Sequence, residues 1–142
     1  MNDYVIYTDG AYSSSRKQGG SAFVILKDGK KVMEWSKCWK GGTNNTAEIF
    51  AIFAALSTFK KPVNSITIYS DSQYCLGCIF NGWTRKANVK IWKKFDEMFA
   101  KVKELCPNIN GIHINGHSKE KNEHTQYNNW VDKLAVEASH EE

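Results

Sequence analysis

The sequence predicts a single α/β domain: a mixed sheet with helices on both faces. Three observations carry this. Three consecutive strand-like segments open the chain, helical and strand-like segments alternate after them, and one central helix is apolar on every side. A meander supplies antiparallel pairing, right-handed crossovers supply parallel pairing, and the crossover helices cover both faces. The chain has 142 residues, the size of one domain, and nothing within 1–142 reads as a linker. With 42% hydrophobic residues, a chain of this length buries roughly two-thirds of its unfolded surface.

The first strand is expected over residues 4–9, where β-branched and aromatic residues dominate. The polar loop SSSRKQGG separates it from a second strand over 21–27 (SAFVILK). Asp28-Gly29 is a hairpin signal, and 31–39 (KVMEWSKCW) is the returning strand. After Gly41-Gly42 comes TNNTAEIFAIFAALSTF, with no charge from Ile49 to Phe59. A helix apolar all round belongs in the middle of the fold. Asn45 or Thr46 is expected to cap it, and Pro62 to mark its end.

Residues 65–70 (SITIYS) form a fourth strand, and Asp71-Ser72 reads as a strand end capping a helix over 73–80. Asn81-Gly82 breaks that helix. Trp92, Phe95, Phe99, Val102 and Leu105 then recur at helical spacing, and Pro107 stops the run. A fifth strand is expected over 112–115, and a last helix over 128–139 with Trp130, Leu134 and Ala138 inward.

A formal net charge of +4 fits a polyanionic partner as well as it fits ordinary solubilising lysines. Cys75 and Cys78 form a CxxC, but no second pair stands at zinc-site spacing, so Cys38, Cys75, Cys78 and Cys106 are expected to be reduced. The start, MNDYVIYTDG, has neither a basic n-region nor an apolar h-region. No apolar run approaches the roughly 20 residues of a membrane span. A cytoplasmic monomer with no membrane partner is the expectation.

Chemistry gathers on four acids. Asp9 follows an apolar strand and shares a face with Val5 and Tyr7. Asp71 ends another short apolar strand, and ligands in such sheets collect at the carboxyl ends of strands. Glu48 lies in the first turn of the apolar helix, where pairing with the helix dipole alone could explain it. Asp132 falls in the last helix and could be an ordinary solvated residue. Clustered carboxylates repel at close range; divalent cations relieve this, and Mg²⁺ takes hard oxygen ligands. Two such ions about 3.5–4 Å apart suit in-line phosphoryl displacement, which indicates a nuclease or a polymerase, and a polymerase needs more chain than this.

The blocks YTDGA around Asp9, TNNTAE ending at Glu48, YSDSQY around Asp71, GHS at His117 and NNWVDKLA around Asp132 occur in this order. Together they resemble the type 1 ribonuclease H pattern over essentially the whole chain. The resemblance implies the ribonuclease H-like fold, a five-stranded sheet of order 3-2-1-4-5 with its first three strands antiparallel. It implies Mg²⁺-dependent hydrolysis, with Mn²⁺ as a substitute, of the RNA strand of an RNA–DNA hybrid, leaving 5′-phosphate and 3′-hydroxyl ends. Asp9, Glu48, Asp71 and Asp132 become ligands of two ions, Asp9 bridging both, and His117 assists chemistry or product release. Substrate contacts fall on Gly10, Ala11, Thr43, Asn44, Asn45, Gln73, Trp83 and Asn128. Asn45 and Gln73 would meet the RNA strand's 2′-hydroxyls or minor groove, and Thr43 a DNA phosphate.

Three departures qualify the match. The interval from Gln73 to Trp92 is too short for the basic handle that some members carry, so the segment from Arg85 to Lys94 is expected to supply the cations alone. The first loop carries Arg16 and Lys17 as possible phosphate contacts. The interval between His117 and Asp132 is enlarged, which leaves His117 and His124 as rivals, His117 favoured because GHS precedes the insertion. Three other readings stay open: a hybrid-binding module without catalysis, another nuclease of the same superfamily, resolvase- or integrase-like, and a domain cut from a reverse transcriptase.

Overall fold

The computed structural model describes residues 2–115 and 122–141. The elements run β1 (Asp3–Ser13), β2 (Gln18–Lys27), β3 (Lys30–Lys40), α1 (Asn44–Ser57), β4 (Ser65–Ser70), α2 (Gln73–Phe80), α3 (Val89–Leu105), β5 (Ile109–His113) and α4 (Glu123–Ser139). The five strands form one sheet in the order β3-β2-β1-β4-β5. β1, β2 and β3 pair antiparallel, while β4 lies parallel to β1 and β5 parallel to β4. The mixed sheet expected from the order of elements is the one found.

Asp28 and Gly29 turn the β2–β3 hairpin with φ of 49° and 86°. Positive φ at both central residues is the type I′ requirement, whose twist suits two antiparallel strands. The three meander strands run longer than their apolar stretches suggested, because Gly19 and Gly20 pair with Tyr12 and Ala11 beyond the hydrophobic run.

The sheet separates two apolar layers. On one face Ile6, Phe23, Ile25, Ile66 and Ile68 pack against Ile49 and Ile52 of α1, Cys75 of α2, and Trp92, Phe95 and Val102 of α3. On the other, Tyr7, Ala22, Val24 and Leu26 pack against Val131 and Ala135 of α4. α1 is buried at Ala47, Ile49, Ala51, Ile52, Ala55 and Leu56, as its lack of charge required.

Three local expectations are corrected. The cap of α1 is Thr43, not Asn45 or Thr46. Thr46 N–H donates to Thr43 Oγ1 at 3.2 Å, and Thr43 N–H donates to Thr46 Oγ1 at 2.8 Å, a reciprocal capping box in which Thr46 plays the part usually taken by Glu or Gln. β5 begins three residues early, at Ile109 paired with Ile66. Gly111 lies directly beneath Leu76 and Phe80 of α2, so packing overrides the turn character of Asn110-Gly111.

α4 begins at Glu123, because Asn122 Oδ1 accepts from Thr125 N–H at 2.9 Å and caps it there. Its inward residues are Val131, Ala135 and Ala138. Leu134 only packs at the margin. Trp130 is exposed and donates Nε1–H to Glu34 Oε1 on β3 at 2.6 Å. Among the described residues no helix is long and apolar enough to cross a membrane, and all four cysteines are unpaired thiols.

Candidate active site

The site opens where β1 and β4 part. Their parallel pairing ends at Tyr7 and Tyr69, and β1 then continues to Ser13 against β2 alone. Asp9 and Asp71 each stand two residues beyond that last pair, so two neighbouring strands deliver carboxylates to one crevice. Such a crevice, beyond the carboxyl ends of parallel strands, is where open α/β sheets bind ligands. Asp71 follows β4 directly, and Ser72, the next residue, caps α2 by accepting from Cys75 N–H at 3.2 Å.

Glu48 arrives from α1, and Gly10 sets how close it comes. A Cβ at Gly10 would overlap the backbone of Ala47 and Glu48, so only glycine lets the first turn of α1 lie against β1 there. Gly10 N–H also donates to Asp9 Oδ1 at 2.9 Å. Carboxylate oxygens of Asp9, Glu48 and Asp71 all lie within 4.8 Å of one another. Asp132, on α4, stands outside this tight triad but is a hydrogen-bond partner of Asp9.

The electrostatics follow from that crowding. Asp9 is 2% exposed and Glu48 8%. Burial pushes the Asp9 carboxyl up to about 8; contact with Glu48 opposes the rise, and the charge of Asp71 adds to it. Burial, then the charge of Asp9, drives Glu48 well above the carboxylate range. Their contact couples the two carboxyls, so the pair resists losing both protons when no cation is present. Glu48 Oε2 is buried without a hydrogen-bond partner. An orphaned buried oxygen beside two further carboxylates is a donor set suited to a hard divalent cation, which would favour the charged forms that burial disfavours.

The acids line a cleft of about 520 Å³ together with Gly10, Ala11, Asn44, Asn45 and Gln73. Nine of the residues singled out from the sequence are thus brought together, counting Asp9, Glu48, Asp71 and Asp132. Tyr12, Ser72 and Tyr74 line the same cleft and were not singled out. Ser72 and Tyr74 lie within the YSDSQY block and Tyr12 directly follows YTDGA, so motif membership and adjacency, not periodicity, were the signals that could have found them.

The others sit apart. Thr43 lies beside the cleft with its side chain committed to the cap of α1. Trp83 is on the surface beside α2 and is 49% exposed. Asn128 is buried, with Oδ1 unpartnered, and lines a neighbouring cavity with His113 and His124. His117 lies outside the described residues. His124 does not line the acidic cleft; its Nδ1 shares a 2.5 Å hydrogen bond with the Tyr7 hydroxyl, and its ring packs 4.4 Å from that of Tyr69.

Comparison with known proteins agrees with this architecture. Residues 1–140 match the family model for RNase H. A Clostridium botulinum (strain Hall) protein named ribonuclease H is 34% identical, the alignment covering 99% of this chain and 98% of that one. A Thermoanaerobacter sp. (strain X514) ribonuclease H is also 34% identical, over 93% of this chain and 86% of the other. Among solved structures, LC11-RNase H1 in complex with an RNA/DNA hybrid superposes with a TM-score of 0.73 at 24% identity, covering 95% of both chains. That last likeness bears on the fold.

Proposed function

The chain belongs to the ribonuclease H family, and from that premise we propose that it cuts the RNA strand of RNA–DNA hybrids with two Mg²⁺ ions held by Asp9, Glu48, Asp71 and Asp132. The observation that carries the proposal is the convergence of three carboxylates within 4.8 Å around a buried, unpartnered Glu48 oxygen. Among the described residues, no cation lines the cleft to balance them. LC11-RNase H1, with the same fold, is described in complex with an RNA/DNA hybrid, which supports the same substrate here.

When bound, a pair of divalent ions supplies Lewis acidity at the scissile phosphate and lowers the pKa of water. The chain's own residues do the rest. Asp9, central to the cluster and in contact with both Glu48 and Asp132, would be the ligand common to the two ions, and Glu48, Asp71 and Asp132 would supply the remaining carboxylates. Asn44 and Asn45, exposed at the N-terminus of α1, offer amides that donate and accept without adding charge, as recognition of 2′-hydroxyls needs. Gln73 offers the same at the start of α2, and the backbone of Gly10 and Ala11 runs along the floor.

We place Thr43 near a DNA phosphate through the exposed turn it caps, and Asn128 as a support behind the RNA strand, since it is buried. His117 is the candidate for proton transfer or product release, because His124 is held by Tyr7 and Tyr69. Four free thiols fit a reducing, cytoplasmic setting, and a monomer fits a cleft completed within one chain. The deciding experiment incubates the protein with labelled RNA–DNA hybrid, double-stranded RNA and double-stranded DNA, with Mg²⁺ or with chelator. Cleavage of the RNA strand in the hybrid alone, and only with metal, is the expected result. Cleavage of double-stranded DNA, or of hybrid without metal, overturns the reading.

A further inference from the structure

Residues 81–88 connect α2 to α3, and the only arginine in this stretch faces inward. One terminal nitrogen of Arg85 donates to Asp96 Oδ2 on α3 at 2.5 Å, and the other to the carbonyl of Cys78 on α2 at 2.8 Å. Its guanidinium lies 4.6 Å from the ring centre of the buried Trp92. Three contacts on two helices occupy both ends of the fork and one of its faces. A guanidinium so engaged is a planar clamp, whereas a phosphate contact needs donors free to turn outward.

The clamp has something to hold. Trp83, two residues before Arg85, is 49% exposed, yet its indole is not loose. The ring lies on Gly77 so closely that a Cβ there would overlap it, and Trp83 N–H donates to the Gly77 carbonyl at 3.2 Å. On the far side of the loop, Asn88 adopts φ 60° and donates its side-chain amide to the Tyr74 hydroxyl at 3.2 Å. Tyr74 in turn lines the acidic cleft. An exposed aromatic plane is thus fixed at a set position relative to the carboxylates by a connection pinned at both ends.

We propose that Arg85 is a positioning residue: it latches residues 81–88 onto α2 and α3 so that Trp83 is presented as a rigid platform for the hybrid, and it neutralises no phosphate itself. The proposal rests on the hybrid-binding reading above. It replaces the expectation that Arg85 heads a row of phosphate-binding cations; Lys86, Lys90, Lys93 and Lys94, all exposed, are left for that role.

The two roles differ in salt dependence. Removing one phosphate contact flattens the plot of log affinity against log salt by about 1, whereas losing a platform shifts it without changing its slope. Binding of a labelled RNA–DNA hybrid is measured in chelator, to prevent cleavage, over a potassium chloride series. The proteins are the unmodified chain, Arg85→Ala, Arg85→Lys, Asp96→Asn and Lys86→Ala. Arg85→Ala and Arg85→Lys are both expected to bind about fivefold more weakly with unchanged slope, since lysine restores the charge but not the fork. Asp96→Asn is expected to weaken binding although it removes a negative charge, and Lys86→Ala to flatten the slope.

Restored binding in Arg85→Lys, a flattened slope in Arg85→Ala, or tighter binding in Asp96→Asn overturns the latch. Arg85→Lys and Asp96→Asn decide the matter if Arg85→Ala fails to fold. Failure of the unmodified chain to bind the hybrid at any salt removes the underlying reading, and the latch with it.

Discussion

The hydroxyl of Ser21, fully buried on β2, donates to the carbonyl of Ala47 at 2.6 Å, so a serine on the sheet seats the residue that precedes Glu48. Trp39 on β3 completes the chain by donating Nε1–H to Ser21 Oγ at 2.9 Å. Ser21 pairs with Gly10 across β1 and β2, the position where α1 comes so close that no side chain fits. The rotation of α1 that aims Glu48 at Asp9 is therefore held by one hydrogen bond and one missing Cβ. Ser21→Ala leaves the Trp39 indole N–H without its acceptor and frees the first turn of α1, at a cost of about 1–3 kcal/mol. Thermal unfolding should show the loss, and the Mg²⁺ concentration for half-maximal cleavage should rise. A lowered melting temperature with an unchanged Mg²⁺ requirement would show that the chain of bonds supports the fold but not the metal site.

Asp9→Asn is expected to abolish cleavage and leave hybrid binding within about threefold, because binding draws on backbone and groove contacts that the substitution spares. The same change removes a charge that is costly when metal is absent. The metal-free variant should therefore melt at or above the temperature of the unmodified metal-free protein near pH 8. Cleavage assays, hybrid binding in chelator and thermal unfolding test the three parts; residual cleavage near the unmodified level would remove Asp9 from the bridging position.

Stability without metal should fall as pH rises. The folded-state values of Asp9, about 8, and of Glu48 lie above their ordinary values of 3.8 and 4.5. The unfolded chain therefore releases these protons first, and ionisation favours unfolding. The stability that Asp9 contributes is fully present below about pH 4, declines as pH rises, and is lost above about 8, and Glu48 acts in the same direction. Mg²⁺ held by these carboxylates would favour the ionised form and reverse the trend by mass action. Melting temperatures from pH 5 to 9, with chelator and with Mg²⁺, should diverge increasingly toward high pH. Parallel curves would mean that the carboxylates are not coupled to the ion.

These predictions rest on parts of the site that the sequence displayed unequally. Asp9 and Asp71 were legible because each follows a short apolar strand, and parallel pairing of β1 with β4 brings such ends together. Glu48 was legible through its helix, whose uncharged run could only be central. The Ser21–Ala47 contact was not, since a serine within an apolar strand carries no periodic signal and its partner lies on another element. The inward contacts of Arg85 were hidden for a related reason. Charge runs are read as solvated or phosphate-facing, and only the fold reveals that Asp96, one turn beyond Trp92 on α3, turns this cation inward. The start of α4 was missed because SKEKNEHTQ is polar throughout, and the helix there is fixed by the Asn122 cap and not by an apolar stripe.

That extra helical turn bears on the two histidines. His124 sits in it, hydrogen-bonded to Tyr7 and packed on Tyr69, while Tyr7 is 1% exposed. His124→Ala strands the Tyr7 hydroxyl and removes a ring contact, which should cost about 1–2 kcal/mol and lower the melting temperature. Its effect on kcat should be small, because His124 does not reach the acidic cleft. Tyr7→Phe should make the His124 substitution nearly neutral if the hydrogen bond is what matters, a coupling that a double-mutant cycle reads directly. His117→Ala should show the opposite pattern, with kcat falling about tenfold or more and melting temperature nearly unchanged. Measuring kcat and melting temperature for both variants separates an anchor from a proton carrier. If His124→Ala lowers kcat more than His117→Ala at equal stability, the catalytic histidine is in the first turn of α4.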